Sequence, residues 1–366
     1  MTSRDEAKYG RIAPMLNALE RLVRCESPTE DLDACKKVVQ VASDIAQEVL
    51  GKPAKVLDVK GRPVFWLGAE NPEIVLLAHL DTVWPHGSFT PLWSVEGDVA
   101  RGPGIYDMKA GFIQALFAMK DLSGSVALIA TTDEETGSAT SKDFIAELAK
   151  KSKAVLVLEA AIDGKVKTGR KGTSMYQLTV HGRAAHAGLE PEKGINSTVE
   201  IAQIVLHLAT LESIEHGTTV VPTMLRSGNT TNTVPDKATL DIDARSFSQD
   251  ELVRVDNAIR AIKPIHAQAR IEITGGINRP PLELSATKDL YDRAEQVAAG
   301  MGLTLGHARV GGASDGNFAA QAGAKVLDGL GAVGEGAHAK NEWASVKALK
   351  ERSDFLHAFV KALLND

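Results

Sequence analysis

The chain has 366 residues, of which 44% are hydrophobic and 24% charged, and its formal net charge is −6. This length exceeds what one hydrophobic core usually supports, so it predicts two domains, and the composition is that of a globular enzyme rather than a disordered or fibrous protein. The interspersed charges offer no basic surface for nucleic acid, and no apolar run approaches the 18 residues of a membrane span.

The first 173 residues alternate helical and strand patterns. Apolar residues recur at helical spacing over 12–24 and 34–50, and further helical patterns cover 108–122 and 141–151. Short runs rich in Val, Ile and Leu predict strands at 64–67, 74–78, 126–130 and 154–158. Continuous apolar strands alternating with helices predict an α/β mixed sheet that carries helices on both faces. Residues 1–173 are therefore expected to form the first segment of a catalytic domain.

The pattern changes at about Ser174. Half-exposed strands at 175–180, 220–226, 238–245 and 269–274 enclose two amphipathic helices, at 194–211 and 249–262. The order β-α-β-β-α-β is typical of a ferredoxin-like α+β domain, an open sheet with helices on one face. We expect this domain to span 174–282 and to be inserted into the catalytic domain, whose second segment, 283–366, resumes the α/β pattern.

Metal-ligand residue types follow the predicted strands of the first domain. His79 and Asp81 end the stretch "IVLLAHLDTV", and their period-2 spacing points both side chains the same way, so that Asp81 can fix the tautomer of His79. Asp107 lies in the Gly-rich turn "GPGIYDMKAG". Ligands at the carboxyl ends of strands lie where open α/β sheets bind their substrates.

The stretch "TTDEETGS" follows another strand and places three carboxylates in a row, of which Glu134 and Glu135 are the candidate site residues. Glu159 ends the next strand, and His338 lies far downstream in "GEGAHAKNEWA". A solvated surface turn is the alternative explanation for the acidic triplet. Two imidazoles, three ligand carboxylates and a spare glutamate are, however, the set that two tetrahedral metal sites sharing one carboxylate require. Two dications would also remove the repulsion among crowded acids.

With these residues in view, the chain resembles the zinc-dependent hydrolases of the acetylornithine deacetylase, succinyl-diaminopimelate desuccinylase and glutamate carboxypeptidase family, peptidase family M-twenty. The resemblance runs nearly from end to end, and the sequences of the motifs are most similar to those of the glutamate carboxypeptidase branch. Seven motifs carry it in order: "HLDTV", "GPGIYDMKAG", "TTDEETGS", "VHGRAAHAG", "TTNTVPDKATLDIDAR", "GGASDGN" and "AHAKNEWA".

The resemblance implies a role for each candidate of the catalytic domain. His79 and Glu159 would bind one zinc, Glu135 and His338 the other, and Asp107 would bridge them. Asp81 would orient His79, and Glu134 would act as the general base. The peptide bond after Asp107 would be cis.

The resemblance also makes the inserted domain a lid that mediates dimerisation. The residues that match the family on the substrate side are His186, Asn232, Arg245, Arg279, Gly311 and Gly312. In the family the histidine at the position of His186 completes the active site of the neighbouring subunit. We therefore expect a homodimer formed through the lid.

The expected function is that of a di-zinc metallohydrolase, with Co²⁺ or Mn²⁺ as substitute ions, that cleaves an amide bond. Its substrate would be an N-acyl amino acid or short peptide with a free carboxylate, as for a glutamate carboxypeptidase. An N-acyl-amino-acid deacylase (aminoacylase) and a dipeptidase are the alternatives within the family. A non-catalytic metal-binding protein is the alternative from another class, but such a protein would have no need of Glu134.

The expected setting is the cytoplasm, without nucleic-acid or membrane partners. The opening residues carry no signal-peptide pattern. The two cysteines, Cys25 and Cys35, are too few for a disulfide framework, which is typical of reducing compartments.

Overall fold

A computed structural model describes residues 10–122 and 124–366, with the side chain of Arg11 excepted. The first nine residues, in which no signal peptide is expected, lie outside this range. The α-helices are α1 Ala13–Arg24, α2 Leu32–Leu50, α3 Ala110–Ala118, α4 Lys142–Ala149, α5 Ser197–Ala209, α6 Gln249–Arg260, α7 Leu284–Gly300, α8 Asp315–Gln321 and α9 Val346–Asn365. None of the helices in the described ranges combines the length and the apolar character needed to cross a bilayer.

The strands include every one predicted from the sequence and several shorter ones. They are β1 Lys55–Val59, β2 Arg62–Gly68, β3 Ile74–His79, β4 Ser94–Glu96, β5 Val99–Arg101, β6 Val126–Thr131, β7 Ala154–Val157, β8 Val166–Arg170, β9 Gly172–His181, β10 Ala185–His186, β11 Thr219–Ser227, β12 Thr233–Val234, β13 Lys237–Ser246, β14 Arg270–Arg279, β15 His307–Val310, β16 Lys325–Leu327, β17 Gly334–Glu335 and β18 Trp343–Ser345.

The described chain divides into two compact units. The first comprises the chain up to Gly169 together with Leu284–Arg309 and Ser314–Asp366, and it is called the catalytic unit below. The second comprises Arg170–Glu283 and Val310–Ala313, and it is called the inserted unit. The range predicted for the lid, 174–282, lies within the inserted unit.

A six-stranded mixed sheet forms the centre of the catalytic unit, in the order β1-β2-β6-β3-β7-β16. β3 runs parallel to both β6 and β7, whereas β2 runs antiparallel to β6. Every residue of β3, β6 and β7 is buried, which requires cover on both faces of the sheet. This burial explains why these strands read as continuous apolar runs in the sequence.

Local sequence sets the ends of the helices that cover this sheet. In α2 the carboxylate of Asp31 caps the first turn by accepting the backbone N–H of Asp33 and Ala34, both at 3.0 Å. The same helix ends at Gly51, whose φ of 68° favours glycine.

The inserted unit is built on a four-stranded antiparallel sheet in the order β11-β13-β9-β14. Burial alternates along β13, and the buried side chains pack against α5 and α6 to form a separate core. The short strands β10 and β12 pair with each other, and His186 of β10 lies opposite Thr233 of β12.

Candidate metal centre

Three neighbouring parallel strands of the catalytic unit end at the same edge of the sheet. β3 ends at His79, a 3₁₀ turn after β6 carries Glu134 and Glu135, and Glu159 follows β7. Because the spatial order of these strands is β6-β3-β7, their ends bring the side chains together in three dimensions. The acidic triplet is therefore part of a cluster at the carboxyl edge of the sheet.

Asp107 lies between two groups of nitrogen and oxygen atoms. Its Oδ1 is 3.2 Å from Nε2 of His79, and its Oδ2 is 3.5 Å from Nε2 of His338. Glu159 Oε1 is 3.7 Å from Nε2 of His79, and Glu135 Oε2 is 3.1 Å from Nε2 of His338. In each group the potential ligand atoms lie within 4.8 Å of one another. Each oxygen of Asp107 thus faces a different imidazole.

Asp81 holds the second nitrogen of His79 and supports the neighbouring turn. Nδ1 of His79 is 3.0 Å from the carbonyl oxygen of Asp81 and 3.4 Å from its Oδ1. The other carboxylate oxygen of Asp81 accepts the backbone N–H of Glu135 at 3.1 Å and the hydroxyl of Thr29 at 2.8 Å. A carbonyl next to Nδ1 places the ring proton there, so that Nε2 is free to act as a ligand.

The two imidazoles have raised pKa values in the metal-free site. Burial lowers the pKa of His79, but the hydrogen bonds to Asp107 and Asp81 outweigh it and hold that pKa well above its ordinary value. Hydrogen bonds to Asp107 and Glu135 raise the pKa of His338 to about 10. Burial opposes ionisation of Asp107, yet its bonds to both histidines keep its pKa below the usual range.

These residues fit a pair of divalent ions. The donors are imidazole nitrogens and carboxylate oxygens, the set that zinc prefers in catalytic sites. Oε1 of Glu135 is buried and has no hydrogen-bond partner, as expected for an atom whose natural partner is a cation. The first group is His79, Asp107 and Glu159, and the second is Asp107, Glu135 and His338.

Metal uptake is expected to release at least one proton per chain at pH 7.5, because an imidazole must be neutral to act as a ligand. The pKa of His338, near 10, keeps its ring protonated at pH 7.5, and the pKa of His79 is also raised well above its ordinary value. The ion in the group of His338 therefore displaces at least the proton of that ring, and its apparent Kd should fall by at least roughly tenfold per pH unit between pH 6 and 8. Titration calorimetry in two buffers of different ionisation enthalpy measures the proton count. A count near zero would show that the rings are neutral before metal binds.

The inserted unit carries the candidates predicted on the substrate side. His186 is exposed in β10, and its Nδ1 accepts the backbone N–H groups of Gly188 and Leu189, both at 3.1 Å. In a neutral ring this leaves the proton on Nε2, which makes that atom a hydrogen-bond donor. Asn232 is also exposed, and its backbone carbonyl accepts the backbone N–H of Ala187. The structure therefore brings His186 and Asn232 close together.

Arg245 and the glycine pair also meet within the inserted unit. Nε and Nη2 of Arg245 form a fork with the carboxylate of Asp243 at 2.8 and 2.9 Å, and Nη1 donates to the carbonyl of Gly311 at 3.2 Å. Gly312 lies beside Arg170, whose Nη1 donates to its carbonyl at 3.2 Å. Arg279 ends β14 and is buried. Arg245 is therefore held on its own strand by Asp243, a contact that the sequence analysis did not anticipate.

A model of peptidase family M20/M25/M40 matches residues 75–362, a range that includes every ligand candidate. The chain belongs to this family. Carboxypeptidase G2 of Pseudomonas sp. (strain RS-16) is 32% identical to it over 325 residues, which cover 84% of this chain and 75% of that protein. Succinyl-diaminopimelate desuccinylase of Sulfurovum sp. (strain NBC37-1) is 26% identical over 324 residues, which cover 80% of this chain and 84% of that protein. The peptidase is thus a metal-dependent hydrolase, as the resemblance predicted.

Solved structures confirm the predicted fold class. A tripeptidase from Staphylococcus aureus has a TM-score of 0.80 at 20% identity and covers 97% of this chain and 99% of its own. A dinuclear metal-binding peptidase of the same family from Bacillus subtilis has a TM-score of 0.69 at 15% identity, and the match covers 97% of this chain and 98% of that one. The α/β fold of the peptidase with its inserted α+β unit is that of the family.

Glu342 is a residue of the metal centre that the sequence analysis did not single out. It is fully buried, and its carboxylate accepts four N–H groups. Oε1 accepts the backbone N–H of Tyr106 at 2.8 Å and of Asp107 at 3.1 Å, whereas Oε2 accepts that of Gly104 at 3.1 Å and the indole N–H of Trp84 at 3.0 Å. Glu342 thereby fixes the turn that presents Asp107, whose following peptide bond is cis as the resemblance implied.

Asp133, the first carboxylate of the triplet, supports the loop instead of belonging to either ligand group. Its Oδ2 accepts the N–H of Thr140 at 2.8 Å and of Ser141 at 3.2 Å, and it also accepts the hydroxyl of Thr140. These bonds lower the pKa of Asp133 although burial opposes them. Local N–H and O–H donors thus stabilise the charge of Asp133, which belongs to neither ligand group, and relief of crowding by metal ions stays a prediction for the other two acids.

Proposed function

We propose that the chain is a two-zinc amidohydrolase that cleaves N-acyl amino acids or short peptides with a free carboxylate, most nearly in the manner of a glutamate carboxypeptidase. The observation that carries the proposal is the position of Asp107, which has one oxygen toward each imidazole. His79, Glu159 and Asp107 would hold one ion, and Glu135, His338 and Asp107 the other. Such a pair, when bound, supplies Lewis acidity and lowers the pKa of water toward about 7.

Glu134 performs the proton transfers in this proposal. It accepts a proton from the attacking water and later delivers it to the leaving amine. Glu134 is only 9% exposed, and it is next to Glu135 on a 3₁₀ turn, where consecutive side chains point about 120° apart. Glu135 can therefore face an ion while Glu134 faces the reacting atoms.

His186 supplies a donor to the oxyanion that forms on the substrate carbonyl. Its Nδ1 is occupied by two backbone N–H groups, so the neutral ring presents Nε2–H outward. One well-placed donor of this kind contributes roughly 3 kcal/mol to the transition state. Asn232 and the arginines of the inserted unit would bind the substrate carboxylate.

The reaction screen that tests the function uses zinc-loaded protein with N-acyl amino acids, acyl-glutamates and dipeptides. Release of a carboxyl-terminal amino acid is expected, because the relative at 32% identity is named a carboxypeptidase, and the desuccinylase is more distant at 26%. Elemental analysis of protein purified without chelator should show about two zinc ions per chain. A metal content near zero after zinc loading would refute the mechanism. Hydrolysis of N-acyl amino acids with non-peptide acyl groups alone would favour the deacylase alternative.

Arg245→Ala is expected to raise KM sharply with a smaller change in kcat, and so is Arg279→Ala. A guanidinium that binds a desolvated carboxylate stabilises ground and transition states alike. Because Asp243 already orients the guanidinium of Arg245, Asp243→Asn should raise KM less than Arg245→Ala does. Steady-state kinetics on free-acid and carboxyl-amidated substrates provide the measurement. Equal rates on both kinds of substrate would rule out a carboxylate anchor.

The proposed assembly is a homodimer formed through the inserted unit. β11 is an edge strand of its sheet, and the side chains of Val221, Met224 and Leu225 on it are 46%, 50% and 49% exposed. An edge strand with apolar side chains is a template for pairing with a second chain. The proposal includes a cytoplasmic setting, in which the buried thiols of Cys25 and Cys35 stay reduced.

Mixing two inactive variants tests whether His186 serves the partner's site. His186→Ala and Glu134→Ala should each be inactive while still binding metal. If each site combines Glu134 of one chain with His186 of the other, unfolding and remixing the two variants at equal ratio makes about half of the dimers mixed, each with one intact site. About a quarter of normal activity should then return. Mixed dimers that form but stay inactive would assign His186 to its own chain.

A further inference from the structure

Arg352 occupies a position of α9 where an apolar residue is expected. Phe355, Leu356 and Phe359 are buried on the same face, and Arg352 precedes them at helical spacing. The residue is 5% exposed, so its guanidinium lies inside the catalytic unit. Burial lowers the pKa of Arg352 to about 10, which leaves the group charged at neutral pH.

This buried cation has almost no hydrogen-bond partners. Within residues 10–122 and 124–366 its one hydrogen bond runs from Nη2 to the carbonyl of Gly329, at 3.3 Å. Nε is buried without a partner, and no carboxylate of the described residues forms an ion pair with the group. A buried charge without a counter-charge is strongly unfavourable, and buried charges in proteins are as a rule paired.

Arg352 lines a cavity of about 230 Å³. At roughly 30 Å³ per water molecule, this is space for about eight waters or for one small organic anion with a few waters. Its walls include the apolar side chains of Leu303, Leu305, Val333 and Phe355 as well as Thr304. Glu351 also lines it, but this side chain is exposed and forms no ion pair with Arg352.

We propose that this cavity is a binding site for a small monocarboxylate with a short apolar body, separate from the metal centre. The planar guanidinium carries N–H donors in a fixed geometry that matches the two oxygens of a carboxylate. The apolar walls suit a short hydrocarbon or fluorocarbon group better than a fully hydrated chloride ion. The bound carboxylate supplies a counter-charge in direct contact with Arg352, whereas the exposed Glu351 acts on it through its charge without forming an ion pair.

The site can be tested with trifluoroacetate as probe, observed by ¹⁹F NMR on the zinc-loaded protein. We expect saturable line broadening, and Arg352→Met should weaken this binding by at least about tenfold because it removes a charged bidentate donor. Arg352→Lys should weaken it too, since an ammonium lacks the fork. Arg24→Met removes the same charge from an exposed ion pair with Glu20 and should leave the broadening unchanged. Glu351→Gln should tighten binding, because it removes a like charge beside the ligand.

Broadening that remains in Arg352→Met measures any binding of the probe at the metal centre. Only the difference in broadening between the unaltered protein and Arg352→Met therefore measures binding in the cavity. Equal broadening in both proteins would overturn the proposal, as would displacement of all bound probe by chloride at equal concentration. If Arg352→Met fails to fold, a crystal structure of the unaltered chain soaked in trifluoroacetate tests whether the probe binds in the cavity. Density for the probe beside Arg352 supports the site, and water alone in the cavity refutes it.

Discussion

Glu134→Gln is expected to lower turnover by at least about 10²-fold while both metal ions remain bound. Glutamine keeps the size and the hydrogen-bonding capacity of the side chain but cannot take up a proton at neutral pH. Glu134 belongs to neither ligand group, so the substitution leaves the metal ligands intact. Single-turnover kinetics together with elemental analysis separate loss of the base from loss of metal.

Glu135→Gln provides the matched comparison one residue away. Oε2 of Glu135 is 3.1 Å from His338, and the residue belongs to the group that His338 and Asp107 complete. Its substitution should lower the metal content from about two ions per chain to about one. Full activity of Glu134→Gln would show that another group is the base. The reverse pattern, with metal lost from Glu134→Gln and retained in Glu135→Gln, would exchange the two roles.

Glu342→Gln is expected to weaken metal binding by about 10- to 100-fold, although Glu342 is not itself a ligand. The carboxylate accepts two N–H groups on each oxygen. A glutamine amide would direct its own N–H₂ at two of these donors. Two hydrogen bonds to a charged group would be lost, each worth about 1.5–3 kcal/mol. The turn that presents Asp107 would then no longer be held in place.

A graded series distinguishes this positioning role from general destabilisation. Trp84→Phe removes one of the four donors and should weaken metal binding less than Glu342→Gln does. Glu147→Gln, at an exposed residue paired with Lys150, should change nothing. Activity of Glu342→Gln should recover at high zinc, because the ligands themselves remain. A variant that binds zinc with unchanged affinity would show that the four hydrogen bonds serve the fold alone.

The central strands could be predicted because burial on both faces leaves a continuous apolar run. β3, β6 and β7 show such runs, and the observed bounds lie close to the predicted ones. β1 was missed because it is an edge strand with largely exposed residues, and β4 and β5 because three residues are too few for a periodic pattern. Pairings such as β5 with β18 join distant parts of the chain, which local patterns do not reveal.

The ligand candidates could be predicted from residue type and position, whereas the residues that support them could not. Glu342 lies in "NEWA" with no periodic or capping signal, and its partners are more than 230 positions away in the sequence. Asp133 is adjacent to two acids that are candidate site residues, yet its carboxylate accepts hydrogen bonds from Thr140 and Ser141 of its own loop. Such differences depend on which donors the folded chain brings near each oxygen.

The order in which a ribosome makes the ligand residues determines when the two ligand groups are complete. His79, Asp107, Glu135 and Glu159 are all synthesised before the inserted unit begins at Arg170, whereas His338 and Glu342 follow it. At roughly 5–20 residues per second, the stretch from 160 to 337 takes on the order of ten seconds or more to make. During that interval the growing chain carries all three residues of the first ligand group and two of the three residues of the second, Asp107 and Glu135. Because Glu342 holds the turn that presents Asp107, and Asp107 belongs to both groups, neither group of the proposed two-ion site can reach its final geometry until translation has almost ended.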